Sequence, residues 1–244
     1  MNKPTISTII LIIVLAIIGL YAAGEVNYYS TKIISENNID SPVVIIPSIG
    51  VNEKINNVSI SQGVYHENKS FTPTNGEVVL FGHRTLQGSP FLRLNELNLG
   101  DTITLDWPGI GEVNYTVINK TVVPESTIMN YSNEDNNIFL ITCDPIGSTA
   151  NRLIIEGNMT SVEDLNMSVI QDNPQQYNAL IIIIVFLAFG LVLSYFYSKE
   201  NRIYLLITVL IIAAILIYFY FYPIPSDIIY SKISWLNGGF IENP

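Results

Sequence analysis

Three long stretches without a charged residue constrain this chain more than any other feature of its sequence. They run from Pro4 to Gly24, from Asn173 to Ser198 and from Ile203 to Ser226. A stretch of about 18 or more mainly apolar residues is typical of a transmembrane helix. Charged residues make up 13% of the chain, whereas a soluble domain carries about 25%. The sequence therefore excludes a soluble cytosolic protein and a disordered one.

These stretches predict a chain with three membrane spans and one central domain. The predicted segments are a transmembrane anchor at 5–23, a linker at 24–41, an extracytoplasmic domain at 42–160, a linker at 161–177, transmembrane helices at 178–198 and 203–222, and a short extracytoplasmic tail at 223–244. The small residues Ala22, Ala23 and Gly24 leave a cleaved signal peptide as an alternative for the first stretch. Signal peptides have apolar regions of about 7–15 residues, and the longer stretch here favours an uncleaved anchor.

Basic residues next to the spans predict their orientation. Lys199 and Arg202 lie in the short turn between the second and third spans, and Lys3 precedes the first. The positive-inside rule places both segments in the cytoplasm. We therefore expect a multi-pass protein of the cell membrane, with its N-terminus cytoplasmic and its central domain outside.

The central domain contains an excess of Asn-x-Ser/Thr sequons, which mark glycan acceptors on surfaces that leave the cytosol. The seven sequons begin at Asn57, Asn68, Asn114, Asn119, Asn130, Asn158 and Asn166. An asparagine-rich composition is the alternative explanation. Together with the richness in isoleucine, asparagine and tyrosine, the sequons favour an archaeal source.

The charge and the cysteine count of the domain exclude several functions. Residues 25–177 carry 18 acidic and 7 basic side chains, a net charge of −11, which repels nucleic acid. The chain has one cysteine, Cys143, and two histidines, His66 and His83. A single cysteine supports neither a disulfide scaffold nor a cysteine metal site. We predict no nucleic-acid partner and no metal.

Local patterns in the domain predict an all-β fold. Segments rich in β-branched residues are separated by turn residues, which is typical of a small sandwich or barrel. The predicted strands lie at 43–46, 77–81, 101–105, 113–118, 121–123, 137–142 and 152–157. One short helix is predicted to begin at Ser89 and Pro90 and to place Phe91, Leu94 and Leu97 on one face.

Three residues at predicted strand ends could carry chemistry. His83 and Cys143 each follow an apolar strand, and Arg152 begins the strand after Cys143. A cysteine becomes a nucleophile when cations stabilise its thiolate. A histidine can protonate a leaving amine, and an arginine can stabilise an oxyanion. This set fits a thiol acyl-transferase, and a buried inert cysteine with a surface histidine and arginine is the alternative.

The order and spacing of these motifs resemble the sortases, a family of membrane-anchored cysteine transpeptidases. The resemblance covers roughly residues 42–158 and leaves out the two C-terminal spans. Phe139 departs from the threonine that the family usually has there. The motifs that carry the resemblance are Phe81-Gly82-His83-Arg84, Pro90-Phe91, Gly100-Asp101-Thr102-Ile103, Leu140-Ile141-Thr142-Cys143-Asp144-Pro145 and Arg152-Leu153-Ile154.

The resemblance implies a closed sortase-like β-barrel with one or two short helices, and transmembrane helices on both sides of it. It implies that Cys143 attacks a carbonyl within a C-terminal sorting motif, typically LPxTG, of a secreted surface protein. His83 would protonate the leaving amine, Arg152 would hold the oxyanion, and Thr142 would contact the substrate. An amine of the cell envelope or of a pilin subunit would then accept the acyl group.

No cofactor is expected from the resemblance, although some sortases bind calcium. Glu53, Glu67 and Glu77 are the residues that could supply such a site. Two other functions remain open on the sequence. One is a non-enzymatic membrane-anchored β-barrel that serves as an adhesin or assembly module. The other is a thiol peptidase that hydrolyses its substrate without transfer.

Overall fold

A computed structural model describes residues 4–35, 41–85, 87–128, 131–165 and 177–224. Within these residues the chain forms two compact units, one holding three long helices and the other holding eight strands. The helices are α1 (Ile6–Ser35), α2 (Asn178–Phe196) and α3 (Arg202–Phe221).

All three helices are long and apolar enough to cross a membrane. The candidate spans are Ile6–Ser30, Asn178–Phe196 and Arg202–Phe221, with mean hydropathies between 2.7 and 2.8. At 1.5 Å per residue, spans of this length match a hydrocarbon core of about 30 Å. Helix α1 continues to Ser35, so most of the predicted linker at 24–41 is helical. No proline interrupts α1 after Gly24, which explains why the helix does not end with the apolar stretch.

Glycines let the helices of this unit approach each other closely. A Cβ on Gly19 of α1 would lie 2.6 Å from Cγ2 of Ile212 on α3, and a Cβ on Gly190 of α2 would lie 2.5 Å from Cγ1 of Val209. Small residues at such contacts are typical of helices that pack within a bilayer, where tight van der Waals contact replaces the hydrophobic effect.

The other unit is a closed eight-stranded barrel with the strand order β1-β2-β3-β4-β7-β8-β6-β5. The β2–β3 and β4–β7 pairs are parallel, and the other pairs are antiparallel. The strands are β1 (Val43–Ile46), β2 (Val51–Asn56), β3 (Val64–His66), β4 (Val78–Phe81), β5 (Thr102–Trp107), β6 (Gly111–Pro124), β7 (Asn137–Asp144) and β8 (Asn151–Glu163).

Alternate residues of the strands fill the interior of the barrel. Val78 and Leu80 of β4, Leu140 of β7, and Leu153 and Ile155 of β8 all belong to one buried core. Because side chains alternate between the two faces of a strand, the residues between them face outward. The barrel therefore confirms the predicted closed all-β fold, with side chains filling its centre.

Three strands and one helix differ from the sequence-based prediction. The segments predicted at 113–118 and 121–123 form the single strand β6. Strands β2 and β3 were not predicted. In β2, Glu53 and Lys54 interrupt the apolar pattern. The predicted helix after Pro90 is a series of turns that ends in a single 3₁₀ turn, Leu94–Glu96. Phe91, Leu94 and Leu97 are nevertheless buried, because a spacing of three residues matches the three residues per turn of a 3₁₀ helix.

Candidate active site

Three neighbouring strands bring the predicted catalytic residues to one place on the outer face of the barrel. Strand β7 lies between β4, which is parallel to it, and β8, which is antiparallel. Cys143 near the end of β7 and Arg152 near the start of β8 both face outward. The two residues lie directly opposite each other in the β7–β8 register. Adjacent strand ends thus place a thiol beside a guanidinium.

The Arg152 guanidinium contacts the thiol and is fixed by its own surroundings. Its Nη1 donates to the Sγ of Cys143 at 3.6 Å and to the carbonyl of Thr149 at 2.9 Å. Its Nη2 donates to Oε1 of Glu125 at 2.6 Å. Glu125 lies just beyond β6, and its backbone N–H donates to the carbonyl of Ala150. The loop after β6 therefore contributes an anion that holds the guanidinium beside Cys143.

Backbone contacts on both sides hold His83 near the end of β7. The parallel β4–β7 register pairs Phe81 with Ile141, and Gly82 N–H extends it by donating to the carbonyl of Ile141 at 3.1 Å. The His83 carbonyl accepts from Phe91 N–H at 3.1 Å. His83 is two residues beyond Phe81, and Cys143 is two residues beyond Ile141. The two residues therefore occupy equivalent positions at the ends of neighbouring parallel strands.

Gly82 is needed for this arrangement because it leaves room for an aromatic ring. A Cβ on Gly82 would lie 2.5 Å from Cδ2 of Phe91, a distance that the buried ring cannot accommodate without moving. Phe91 is fully buried in the barrel core. The turn that carries His83 is thus packed directly on the core.

The side chain of Thr142 lies inside the barrel. It is fully buried, and its Oγ1 donates to the carbonyl of Gly82 at 2.7 Å. Alternation along β7 directs it away from the face that carries Cys143. The hydroxyl thus ties the end of β7 to the turn before His83, and a contact of Thr142 with the substrate stays a prediction.

Burial dominates the electrostatics of the thiol and the imidazole. Burial raises the pKa of Cys143 to about 11; Arg152 lowers it, Glu125 raises it and Arg84 lowers it. Burial lowers the pKa of His83 to about 3, and a hydrogen bond with Gln87 opposes that shift. Both shifts favour the uncharged forms, as desolvation requires. At neutral pH the resting site therefore holds a thiol and a neutral imidazole.

A second arginine, for which no role was predicted from the sequence, contacts the main chain of the candidate nucleophile. Arg84 is 5% exposed. Its Nη1 donates to the Cys143 carbonyl at 3.0 Å and to Oδ1 of Asp144 at 2.5 Å. The sequence gives one indication of a role for Arg84: it directly follows His83, and Asp144 directly follows Cys143. Only the pairing of the strands shows that these neighbours meet.

An apolar patch lies on the same outer face as Cys143. Val79, Ile141 and Ile154 form its buried centre, and they come from β4, β7 and β8. Four partly buried residues pack against this centre: Phe81, Val123, Tyr131 and Phe139. The patch thus continues along the strands that carry the three candidate catalytic residues.

The glutamates named for a calcium site do not form one. Among the described residues, no three His, Cys, Asp or Glu side chains are grouped so that they could hold a metal ion. Glu67 accepts from Lys69 N–H at 3.1 Å, and Glu77 accepts from Ser132 N–H at 2.7 Å. Glu53 lies on β2. Two of these carboxylates thus bind backbone amides.

Comparison with known proteins identifies the family of the chain. The sortase domain family matches residues 34–160, more than half of the chain, and no curated protein matches. Among solved structures, sortase C-1 from Actinomyces oris is 29% identical with a TM-score of 0.45, over 50% of this chain and 72% of that one. Sortase C1 of GBS pilus island 1 is 23% identical with a TM-score of 0.47, over 52% and 68%. The match includes all three candidate catalytic residues, and the chain belongs to the sortase family.

Proposed function

We propose that this sortase cleaves a C-terminal sorting motif of LPxTG type in secreted surface proteins and transfers the acyl group to an amine. The acceptor is an amine of the cell envelope or of a pilin subunit. The observation that supports the proposal is that Arg152 lies opposite Cys143 in the β7–β8 register, while His83 follows β4, the parallel neighbour of β7. The family match supports a sortase-type transpeptidase, and the residue roles are our assignment.

In the proposed reaction, the Cys143 sulfur attacks the carbonyl carbon of the scissile peptide bond within the motif. As the C–S bond forms, the thiol proton passes to His83, and the carbonyl electrons move to an oxyanion that Arg152 binds through its guanidinium N–H groups. The oxyanion then collapses, the C–N bond breaks, and His83 returns the proton to the leaving amine. The product is a thioacyl-enzyme and a free C-terminal fragment.

An incoming amine completes the transfer. Its nitrogen attacks the thioester carbonyl, the C–S bond breaks, and the amine proton returns to the sulfur through His83. Because the resting thiol and imidazole are both neutral, each cycle has to separate charge inside a buried site. We therefore expect slow turnover, as in a site whose reactive protonation state is a minor one.

The apolar patch beside Cys143 is the proposed binding surface for the motif. Its buried centre on β4, β7 and β8 is lined by aliphatic side chains, with Tyr131 contributed by the segment before β7. An apolar surface of this kind suits leucine and proline, and it includes residues of β7 and β8, the strands that carry Cys143 and Arg152. Few polar groups are needed to fix the orientation of such a ligand.

The membrane arrangement is part of the proposal. We infer that the segments 5–23, 178–198 and 203–222 anchor the chain, with 24–41 and 161–177 connecting them to the barrel at 42–160. The basic turn with Lys199 and Arg202 would face the cytoplasm. The barrel and the tail at 223–244 would then face outward, where secreted surface proteins arrive.

Product analysis with and without an added amine tests the proposed reaction. The full chain in detergent is incubated with peptides that carry LPxTG-type motifs, with and without a glycine-based amine acceptor. We expect an amide-linked product that requires the acceptor and is absent with Cys143→Ala. Hydrolysis that the amine does not divert would support a thiol peptidase. Intact peptide throughout the panel would favour a non-enzymatic adhesin or assembly module.

A further inference from the structure

A partly buried ion pair links the two turns that carry the candidate nucleophile and the candidate acid. Arg84 directly follows His83, and Asp144 directly follows Cys143. Their side chains are 5% and 28% exposed, and Nη1 of Arg84 lies 2.5 Å from Oδ1 of Asp144. The same Nη1 donates to the carbonyl of Cys143. One nitrogen thus contacts both the nucleophile's main chain and the next residue's carboxylate.

We propose that Arg84 is a positioning residue for the transfer reaction: its guanidinium, held by Asp144, fixes the main chain of Cys143 against the turn that carries His83. The inference rests on the proposed function of Cys143 and His83. We assign the distance between His83 and Cys143 to the Arg84–Asp144 ion pair, because Arg84 is adjacent to His83 in the chain and Asp144 is adjacent to Cys143.

The chemistry of the contact suits such a role. A buried guanidinium needs a partner, because an unpaired charge in a desolvated place is strongly unfavourable. Asp144 supplies that partner. Hydrogen bonds between ionised groups are shorter and stronger than neutral ones, so the pair resists small displacements. A shift of about 1 Å in the reacting groups can lower the rate about 100-fold. We therefore expect the rigidity of this ion pair to affect turnover.

Arg84 also places a second positive charge near the thiol. It lowers the pKa of Cys143, against the larger effect of burial. A residue that only supported the fold would act differently from one that positions and charges this site. If Arg84 only supported the fold, loss of its side chain would loosen the structure and expose Cys143, which is 7% exposed in the intact barrel. If Arg84 positions and charges the site, its loss would instead make the thiol less reactive. These two roles predict opposite changes in the reactivity of the thiol.

Alkylation of Cys143 separates the two roles without a substrate. Cys143 is the only cysteine of the chain, so iodoacetamide uptake by the full chain in detergent reports one site. At a fixed pH of about 8, we expect Arg84→Gln to react about 3–10-fold more slowly, because loss of the cation reduces the thiolate fraction. The control is Arg93→Gln, which removes the exposed Arg93–Glu96 pair and should stay within about twofold of the parent. A faster rate for Arg84→Gln would show that Arg84 only supports the fold and would overturn the proposal.

Turnover tests positioning apart from charge. In Arg84→Lys the charge stays, but the Lys Nζ ends about one C–N bond, roughly 1.3 Å, short of the Arg84 Nη1 position. We expect kcat to fall about 10–100-fold with little change in KM, while Arg93→Lys matches the parent. Melting curves establish that the variants are folded, and if Arg84→Gln does not fold, Arg84→Lys alone decides. A parental kcat in Arg84→Lys would overturn the inference.

Asp144→Asn provides an independent check on the same contact. It should lower kcat in the same direction, and the double variant with Arg84→Lys should be no slower than the slower single variant, because both changes break one interaction. Losses that multiply would contradict the shared contact. If Cys143→Ala is inactive while Arg84→Lys is fully active, only this inference fails. If Cys143→Ala remains active, the proposed function itself fails.

Discussion

Arg152 lies directly opposite Cys143 in the β7–β8 register, and its Nη1 donates to the Cys143 sulfur at 3.6 Å. The other terminal nitrogen of the same guanidinium pairs with Glu125. The cation therefore lies between an anion and a thiol. Glu125 thus holds the guanidinium in place beside Cys143.

Arg152→Lys tests the proposed oxyanion role. Lysine keeps the charge but loses the planar fork of donors that arginine offers. We expect kcat/KM for peptide transfer to fall about 100–1,000-fold, the size associated with losing one oxyanion donor. The control is Arg93→Lys on the exposed turn. If Arg152→Lys is as active as the parent across the pH range, Arg152 is only a strand-edge charge.

Glu125→Gln tests the electrostatic link between the loop after β6 and the thiol. Glu125 raises the pKa of Cys143, and glutamine removes its charge while keeping an oxygen that can accept from Arg152. The thiolate fraction should therefore increase. We expect iodoacetamide to alkylate Cys143 about 3–10-fold faster at a pH of about 8, with the lower nucleophilicity of a more acidic thiol offsetting part of the gain.

The outcome for Glu125 is compared with that of Glu96→Gln, which changes a carboxylate on an exposed turn. That control should react at the parental rate. A Glu125→Gln variant that reacts no faster than the parent would show that Glu125 has no electrostatic effect on the thiol.

Burial of His83 predicts a pH dependence of stability with a defined sign. The pKa of His83 is about 3 in the folded chain and near its ordinary value of 6.5 when unfolded. Between these values the unfolded chain binds a proton that the folded chain does not. Stability should therefore fall as the pH decreases from about 6.5 towards 3, by up to about 1.4 kcal/mol per pH unit from this group.

Denaturant titrations of the full chain in detergent measure this effect. The parent and His83→Gln are compared at several pH values, and the carboxylates that titrate in both cancel in the difference. We expect the difference in unfolding free energy to change steadily with pH over that window. Parallel curves for the two proteins would mean that His83 titrates normally and is not buried in its neutral form.

Much of the barrel could be predicted because its strands have strong local signals. Strand β1 coincides with the predicted segment at 43–46, and β7 extends the segment predicted at 137–142 by only two residues. Strand β2 was missed because Glu53 is buried within it. A charged residue at a core-facing position hides the alternation of apolar and polar residues that indicates a strand. The 3₁₀ turn at Leu94–Glu96 was predicted as a helix because burial every third residue fits both.

The candidate site was predictable only in part, for a related reason. Cys143, His83 and Arg152 stand out in the sequence because of their residue types and their places at strand ends. Glu125 and Arg84 are recognised only when the strands are paired, because their partners are 27 and 60 residues away. The inward orientation of Thr142, which follows from alternation along β7, also depends on where the strand lies in the barrel.

The membrane arrangement predicts which segments are accessible from outside the cell. A protease added to intact cells or protoplasts should digest the barrel at 42–158 and leave the turn at 198–202 intact. An epitope tag in that turn should be detected only after the membrane is permeabilised. Detection of the tag on intact cells would reverse the orientation inferred from Lys199 and Arg202.

The mass of the intact chain during turnover tests the central claim most directly. The full chain is mixed with a cleavable LPxTG-type peptide, quenched with acid and measured by mass spectrometry. We expect an adduct on Cys143 equal in mass to the N-terminal acyl fragment, lost on treatment with hydroxylamine and absent in Cys143→Ala. Cleavage of the peptide by Cys143→Ala at the parental rate would contradict the account, because the reaction would then proceed without the thiol.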